Sequence, residues 1–146
     1  MGILDPMKRI TGYDIRIIPH EQHRYETCGD WWYEGPEDNA VLHIRVSQMP
    51  EQTHEQMVLI HELAEVILCN QQGVTQQDVD NFDTNFESNR ESGLVSQEAE
   101  PGDSPDAPYK TQHCFATAIE RLMCAALGIT WQAYEEEIAK LFADNE

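Results

Sequence analysis

Met57-Val58-Leu59-Ile60-His61-Glu62-Leu63-Ala64-Glu65-Val66-Ile67-Leu68-Cys69 sets the architecture of the chain. It is apolar on almost every side, and a helix of that kind belongs at the centre of a domain. Three ionisable residues nevertheless stand inside it. Burying a charge is costly unless it is paired, hydrogen-bonded or bound to a metal. Residues four apart share a helix face, so His61 and Glu65 can address one atom. Glu62 stands beside them, turned by about 100°.

Upstream, Tyr13 to Pro19 alternates apolar and polar residues, which predicts a strand ended by proline. Trp31-Trp32-Tyr33, the turn-rich Gly35 to Asn39 and the alternating Val41 to Val46 predict a hairpin. Together these make a small antiparallel sheet of about three strands, one face of it covering the central helix. Thr53 is the expected N-cap of that helix, and Asn70 or Gly73 its stop.

Downstream, Thr75 caps a second helix with Val79, Phe82 and Phe86 on its apolar face and Asp83 at the border. Residues 88–108 are rich in Ser, Gly, Pro and acids, and read as a flexible acidic loop or a lid. Thr111 caps a third helix. Its expected inward stripe is Phe115, Ala118, Ile119, Leu122, Met123, Ala126 and Leu127, and Gly128 ends it. Thr130 caps a last helix that turns Trp131, Tyr134, Ile138, Leu141 and Phe142 inward. The fold class is therefore α+β: an N-terminal sheet packed on about four helices. Residues 7–146 form one domain, as the length implies, and Met1 to Pro6 are an N-terminal extension.

The formal net charge is −18. That excludes nucleic-acid binding by direct phosphate contact, which needs Lys and Arg, and adsorption to an anionic membrane. It leaves open a DNA mimic or a protein that binds a basic partner. No apolar run reaches the ~18 residues of a membrane helix, and no signal peptide is visible. Cys28, Cys69, Cys114 and Cys124 show no CxxC spacing. Cys69 and Cys124 fall on apolar faces, so reduced thiols and a cytoplasmic setting are expected.

The pattern His61-Glu62-x-x-Glu65 resembles the His-Glu-x-x-His helix of the zincin metallopeptidases, with Glu65 where that family has its second histidine. The resemblance implies that His61 and Glu65 hold the metal and that Glu62 takes a proton from metal-bound water. It also implies a peptidase or amidase acting on a peptide or protein substrate, in a minimal zincin-like fold. A catalytic zinc needs three protein ligands. His113, in the first turn of the third helix, is the best candidate for the third. Asp83 is the alternative: it either ligates or orients His61 by accepting its other N–H. One divalent metal follows, zinc by ligand type, with manganese or magnesium if oxygen donors dominate. His43 reads as solvent-facing, His20, His23 and His54 as surface residues, and Glu120, one or two turns beyond His113, either approaches the site or forms a surface ion pair with Arg121.

Two other resemblances are confined to fragments. Leu59 to Glu65 is similar to the His-Asp stretch of HD-domain phosphohydrolases. Glu62-x-x-Glu65 with Asp80-x-x-Asp83 is similar to the magnesium-binding pairs of MazG-like pyrophosphatases. Over most of its length the chain looks like small phage and prophage proteins that share Gly29-Asp30-Trp31, His61 to Glu65, Phe82-Asp83 and Pro108-Tyr109 through His113. That resemblance implies a phage-type origin, placing the protein in the host cytoplasm, and carries no established activity with it. The class that competes with the enzyme is a noncatalytic acidic binding or inhibitor protein, with a structural metal or none.

Overall fold

A computed structural model describes residues 7–96 and 99–143. The extension expected at residues 1–6 lies outside them. Three strands, β1 (Ile10–Ile18), β2 (Gly29–Glu34) and β3 (Ala40–Ser47), precede four helices. These are α1 (Gln52–Gln71), α2 (Gln76–Glu91), α3 (Lys110–Leu127) and α4 (Trp131–Ala143). The fold is α+β, as the sequence predicts.

The sheet order is β1-β3-β2. The β2–β3 hairpin is antiparallel, with Trp31 opposite Ile44, and Gly35 supplies the left-handed residue of its turn at φ 92°. β1, however, pairs parallel with β3, which corrects the all-antiparallel expectation and makes the sheet mixed. The cause lies in β3. Ala40, Leu42, Ile44 and Val46 are all fully buried, and a strand that apolar needs a neighbour on each edge. The linker of residues 19–28 carries the chain past the end of β3, which leaves room for β3 between β1 and β2. Ser47 N–H bonds to Cys28 C=O and Gln48 N–H to Ile18 C=O, tying both neighbours to that end. Alternation fixes which residues face inward, but not strand order.

α1 lies on the sheet, with Met57, Val66 and Cys69 fully buried beneath it. Full burial of side chains of this size contributes about 1.5–3 kcal/mol each. Its start differs from the expected one. Glu51, not Thr53, is the N-cap residue, and it makes no side-chain cap bond. Instead Glu55, in the first turn, accepts from the Met49 N–H. α2 begins at Thr75 as predicted, in a reciprocal capping box with Asp78. Thr130 likewise accepts from the Ala133 N–H at the start of α4, and Gly128 closes α3 in the left-handed conformation at φ 71°.

α3 inverts the sequence expectation. Phe115, Leu122 and Leu127 are 61%, 70% and 52% exposed, while Gln112, His113, Ala116, Glu120 and Cys124 are buried. It also starts two residues early, at Lys110, after a Tyr109 N-cap with no side-chain bond. The helix therefore turns its polar face toward α1 and leaves most of its apolar stripe outside, with Met123 alone of that stripe packed on the core. Residues 88–91 belong to α2. A 3-10 turn at Pro101–Asp103 packs against α3, with Gly102 and Ala107 buried. Residues 97–98 of the expected flexible loop lie outside the described residues. Among the described residues no single helix is long and apolar enough to cross a membrane; α3 and α4 reach that length only as a pair, bent by 120°.

Candidate metal centre

The inverted face of α3 meets the charged face of α1, and the two bring three donor atoms together. His61 Nε2 lies 3.0 Å from Glu65 Oε2 and 3.1 Å from His113 Nδ1, and the last two are 3.2 Å apart. All three residues are buried. Helical spacing places the pair on α1, as the sequence predicts, and His113 completes the set from the first turn of α3. Donors around a tetrahedral zinc at 2.0–2.1 Å stand about 3.3 Å apart. The triangle is thus close to the size such an ion requires.

Two of the three donors, His61 and Glu65, are held from behind by hydrogen bonds. His61 Nδ1 donates to Glu120 Oε1, and Glu120 Oε2 accepts at 2.6 Å from the hydroxyl of the fully buried Tyr134. Trp31 Nε1 donates to Glu65 Oε1 at 3.3 Å. His113 presents its Nε2 to Asp103 and Glu100, at 3.4 and 3.6 Å. A histidine whose other nitrogen bonds a carboxylate is the ordinary support of a metal ligand. With Nδ1–H committed to Glu120, neutral His61 turns a lone pair inward, where Glu65 Oε2 is a second acceptor. Protons satisfy all three atoms only when both rings are charged; a cation satisfies them with both rings neutral.

Several expectations are corrected here. Asp83 is apart from the triangle: it accepts from Tyr25 at 2.9 Å and from Tyr109. Burial raises its carboxyl to about 7, against those two donors. The residue on His61 Nδ1 is Glu120, buried and not in a surface pair. The signal for it was present, because His113 and Glu120 are seven apart and so share one face of α3. His54 is also buried, and His20 and His23 both bond Ser47 Oγ, at 2.9 Å each. His43 lies on the outer sheet face but is covered by stacking on Trp32.

Glu62 is buried against Gly29, where a Cβ would fall 2.5 Å from Glu62 Oε1. Its carboxyl lines a cavity of about 530 Å³ together with His61, Glu65, His113 and Glu120. Among the described residues no hydrogen bond to Glu62 is made. Burial, and then the charge of Glu65, raises its pKa well above the ordinary value.

The chain matches no family model, no curated protein and no solved structure.

Burial opposes charge on His61 and His113, but the carboxylates outweigh it. Glu120 and Glu65 raise His61 to about 11, and Glu100 and Glu65 raise His113 to about 10. The metal-free cluster therefore holds at least one proton at pH 7, which an arriving cation must displace. Metal affinity should rise with pH below those values, by about tenfold per unit for each proton released. Calorimetry of zinc binding in buffers of different ionisation enthalpy counts those protons. Separately, Glu120→Gln removes the charge behind His61 and should weaken metal binding about 10–100-fold, as read by competition with a chelator.

Proposed function

We propose that the protein is a metal-dependent hydrolase of peptide or amide bonds, with one divalent metal held by His61, Glu65 and His113. The observation that carries this reading is the position of Glu62. A buried carboxyl without a hydrogen-bond partner among the described residues faces the cavity beside three convergent donor atoms. A metal-bound water in that cavity would have its pKa lowered toward 7. Glu62 is placed to take its proton and, in the protonated form that burial favours, to return one to the leaving group. His61 and Glu65 orient the metal, and Glu120 with Tyr134 fixes the ring of His61.

Two imidazoles and one carboxylate suit zinc in peptidases. The same donors also serve iron(II), so elemental analysis identifies the resident ion. The test of function is turnover by the reconstituted protein. A fluorogenic peptide set should be cleaved by zinc-loaded protein, with cleavage lost on chelation and restored by zinc. Cleavage that survives exhaustive chelation would sink the reading. A second reading, a noncatalytic binding protein with a structural metal, is favoured by the exposed apolar stripe of α3, since such patches mark partner surfaces.

A further inference from the structure

We propose that Glu100, Asp103 and the outer nitrogen of His113 form a second cation site, through which the metal passes on its way to the inner one. The proposal rests on the metal reading above. His61, Glu65 and His113 are buried, and the turn at Pro101–Asp103 lies against His113. Gly102 makes that approach possible: a Cβ there would fall 2.4 Å from His113 Cγ and Nδ1. The turn brings two carboxylates to the outer edge of the ring. Their side chains are 57% and 67% exposed, and their oxygens lie 3.6 and 3.4 Å from His113 Nε2.

Those distances do not describe a hydrogen bond between an imidazole and a carboxylate, which closes to about 2.7–2.9 Å when charge-assisted. His113 Nε2 has no hydrogen-bond partner among the described residues, although the residue is buried. A buried nitrogen left in that state is costly. The separations are instead close to the spacing of donors around one ion, about 3.3 Å. The three donor atoms all lie within 4.8 Å of one another. A hard divalent cation suits the two oxygens, and the imidazole extends the site to zinc or manganese.

One neutral imidazole offers one lone pair, so the two sites take turns. With the ion outside, Nε2 carries the lone pair and Nδ1–H donates to Glu65 Oε2, 3.2 Å away. With the ion inside, Nδ1 carries the lone pair and Nε2–H faces Glu100 and Asp103. The ion and one proton exchange sides of the ring, and no other reactant is needed. Exposed carboxylates meet a hydrated cation at little desolvation cost, and fixed negative charge at a cavity mouth raises on-rates 10–10³-fold.

The test is the rate of metal uptake by the full-length, metal-free protein. Cobalt(II), a coloured stand-in for zinc, is mixed rapidly with wild type and with the double variant Glu100→Gln/Asp103→Asn. A control, Glu37→Gln/Asp38→Asn, removes two charges from the exposed β2–β3 turn. The Glu100/Asp103 variant should load at least about tenfold more slowly, yet reach the wild-type cobalt spectrum and one ion per chain at the inner site. The control should load at the wild-type rate. Wild-type loading by the double variant, or equal slowing in both, would overturn the outer site. So would an altered final spectrum or lost stoichiometry, because the two carboxylates would then act only by orienting His113. If wild type takes up no cobalt at all, the inner site itself is refuted, and the outer one with it.

Discussion

Replacing Glu62 with glutamine should lower peptide hydrolysis by about 10²–10⁴-fold, the usual contribution of a general base, while the metal stays bound at one per chain. Glutamine keeps the size of the side chain, so its fit against Gly29 is preserved, but it cannot accept the proton. Folding stability supplies an independent check. The raised pKa of Glu62 means that its stabilising protonation is present below the ordinary carboxylate range and is lost as pH rises through the folded-state value. In metal-free protein, Glu62→Gln should therefore be at least as stable as wild type at neutral pH, and its melting temperature should depend less on pH. Lower activity together with lost metal would instead make Glu62 part of the scaffold. Unchanged activity with metal retained would remove it from the chemistry.

The second large effect is expected at His61. Replacement by alanine should abolish stoichiometric metal, because it deletes one donor of the triangle and leaves Glu120 without its imidazole partner. At a zinc concentration 100-fold above Kd, wild type should gain about 2.7 kcal/mol of stability from binding, roughly 5–10 °C in Tm for a domain of this size. His61→Ala should gain nothing from zinc. Circular dichroism establishes that the variant is folded before the comparison is made. Metal content equal to wild type, in folded protein, would exclude His61 as a ligand.

Much of the fold was legible because strands and helices carry their own periods. The alternation of Leu42, Ile44 and Val46 marks β3, and Thr75 and Gly128 mark helix ends by chemistry that acts locally. The partner of β1 was not legible, because strand order depends on which strand needs two neighbours, a property of the whole sheet. α3 failed for a different reason. Its apolar stripe is the stronger periodic signal, yet Phe115 and Leu122 face outward and His113 and Glu120 inward. A helix that buries its polar face against another charged face breaks the local rule, and sites of function are where such breaks are expected.

The site divides along the same line. His61, Glu62 and Glu65 can be read from one helix because their geometry is set within two turns. His113 could be proposed from donor counting, since three ligands are required and α1 supplies two. Trp31 and Tyr134 support the site from a strand and another helix, Glu100 and Asp103 approach the outer edge of His113 from a loop, and no spacing within the sequence links any of them to it. Asp83 was the natural candidate to orient His61, because it lies at the edge of a buried face. Two tyrosine hydroxyls claim it instead.

The most direct test of the metal centre is anomalous X-ray scattering at the zinc edge from crystals of zinc-reconstituted protein. One peak is expected, about 2.0–2.2 Å from His61 Nε2, Glu65 Oε2 and His113 Nδ1, with no fourth protein ligand and with the Glu62 carboxylate beside the open position but not bonded to the ion. A map without a peak at that point, or a zinc closed off by four protein donors, would contradict the assignment.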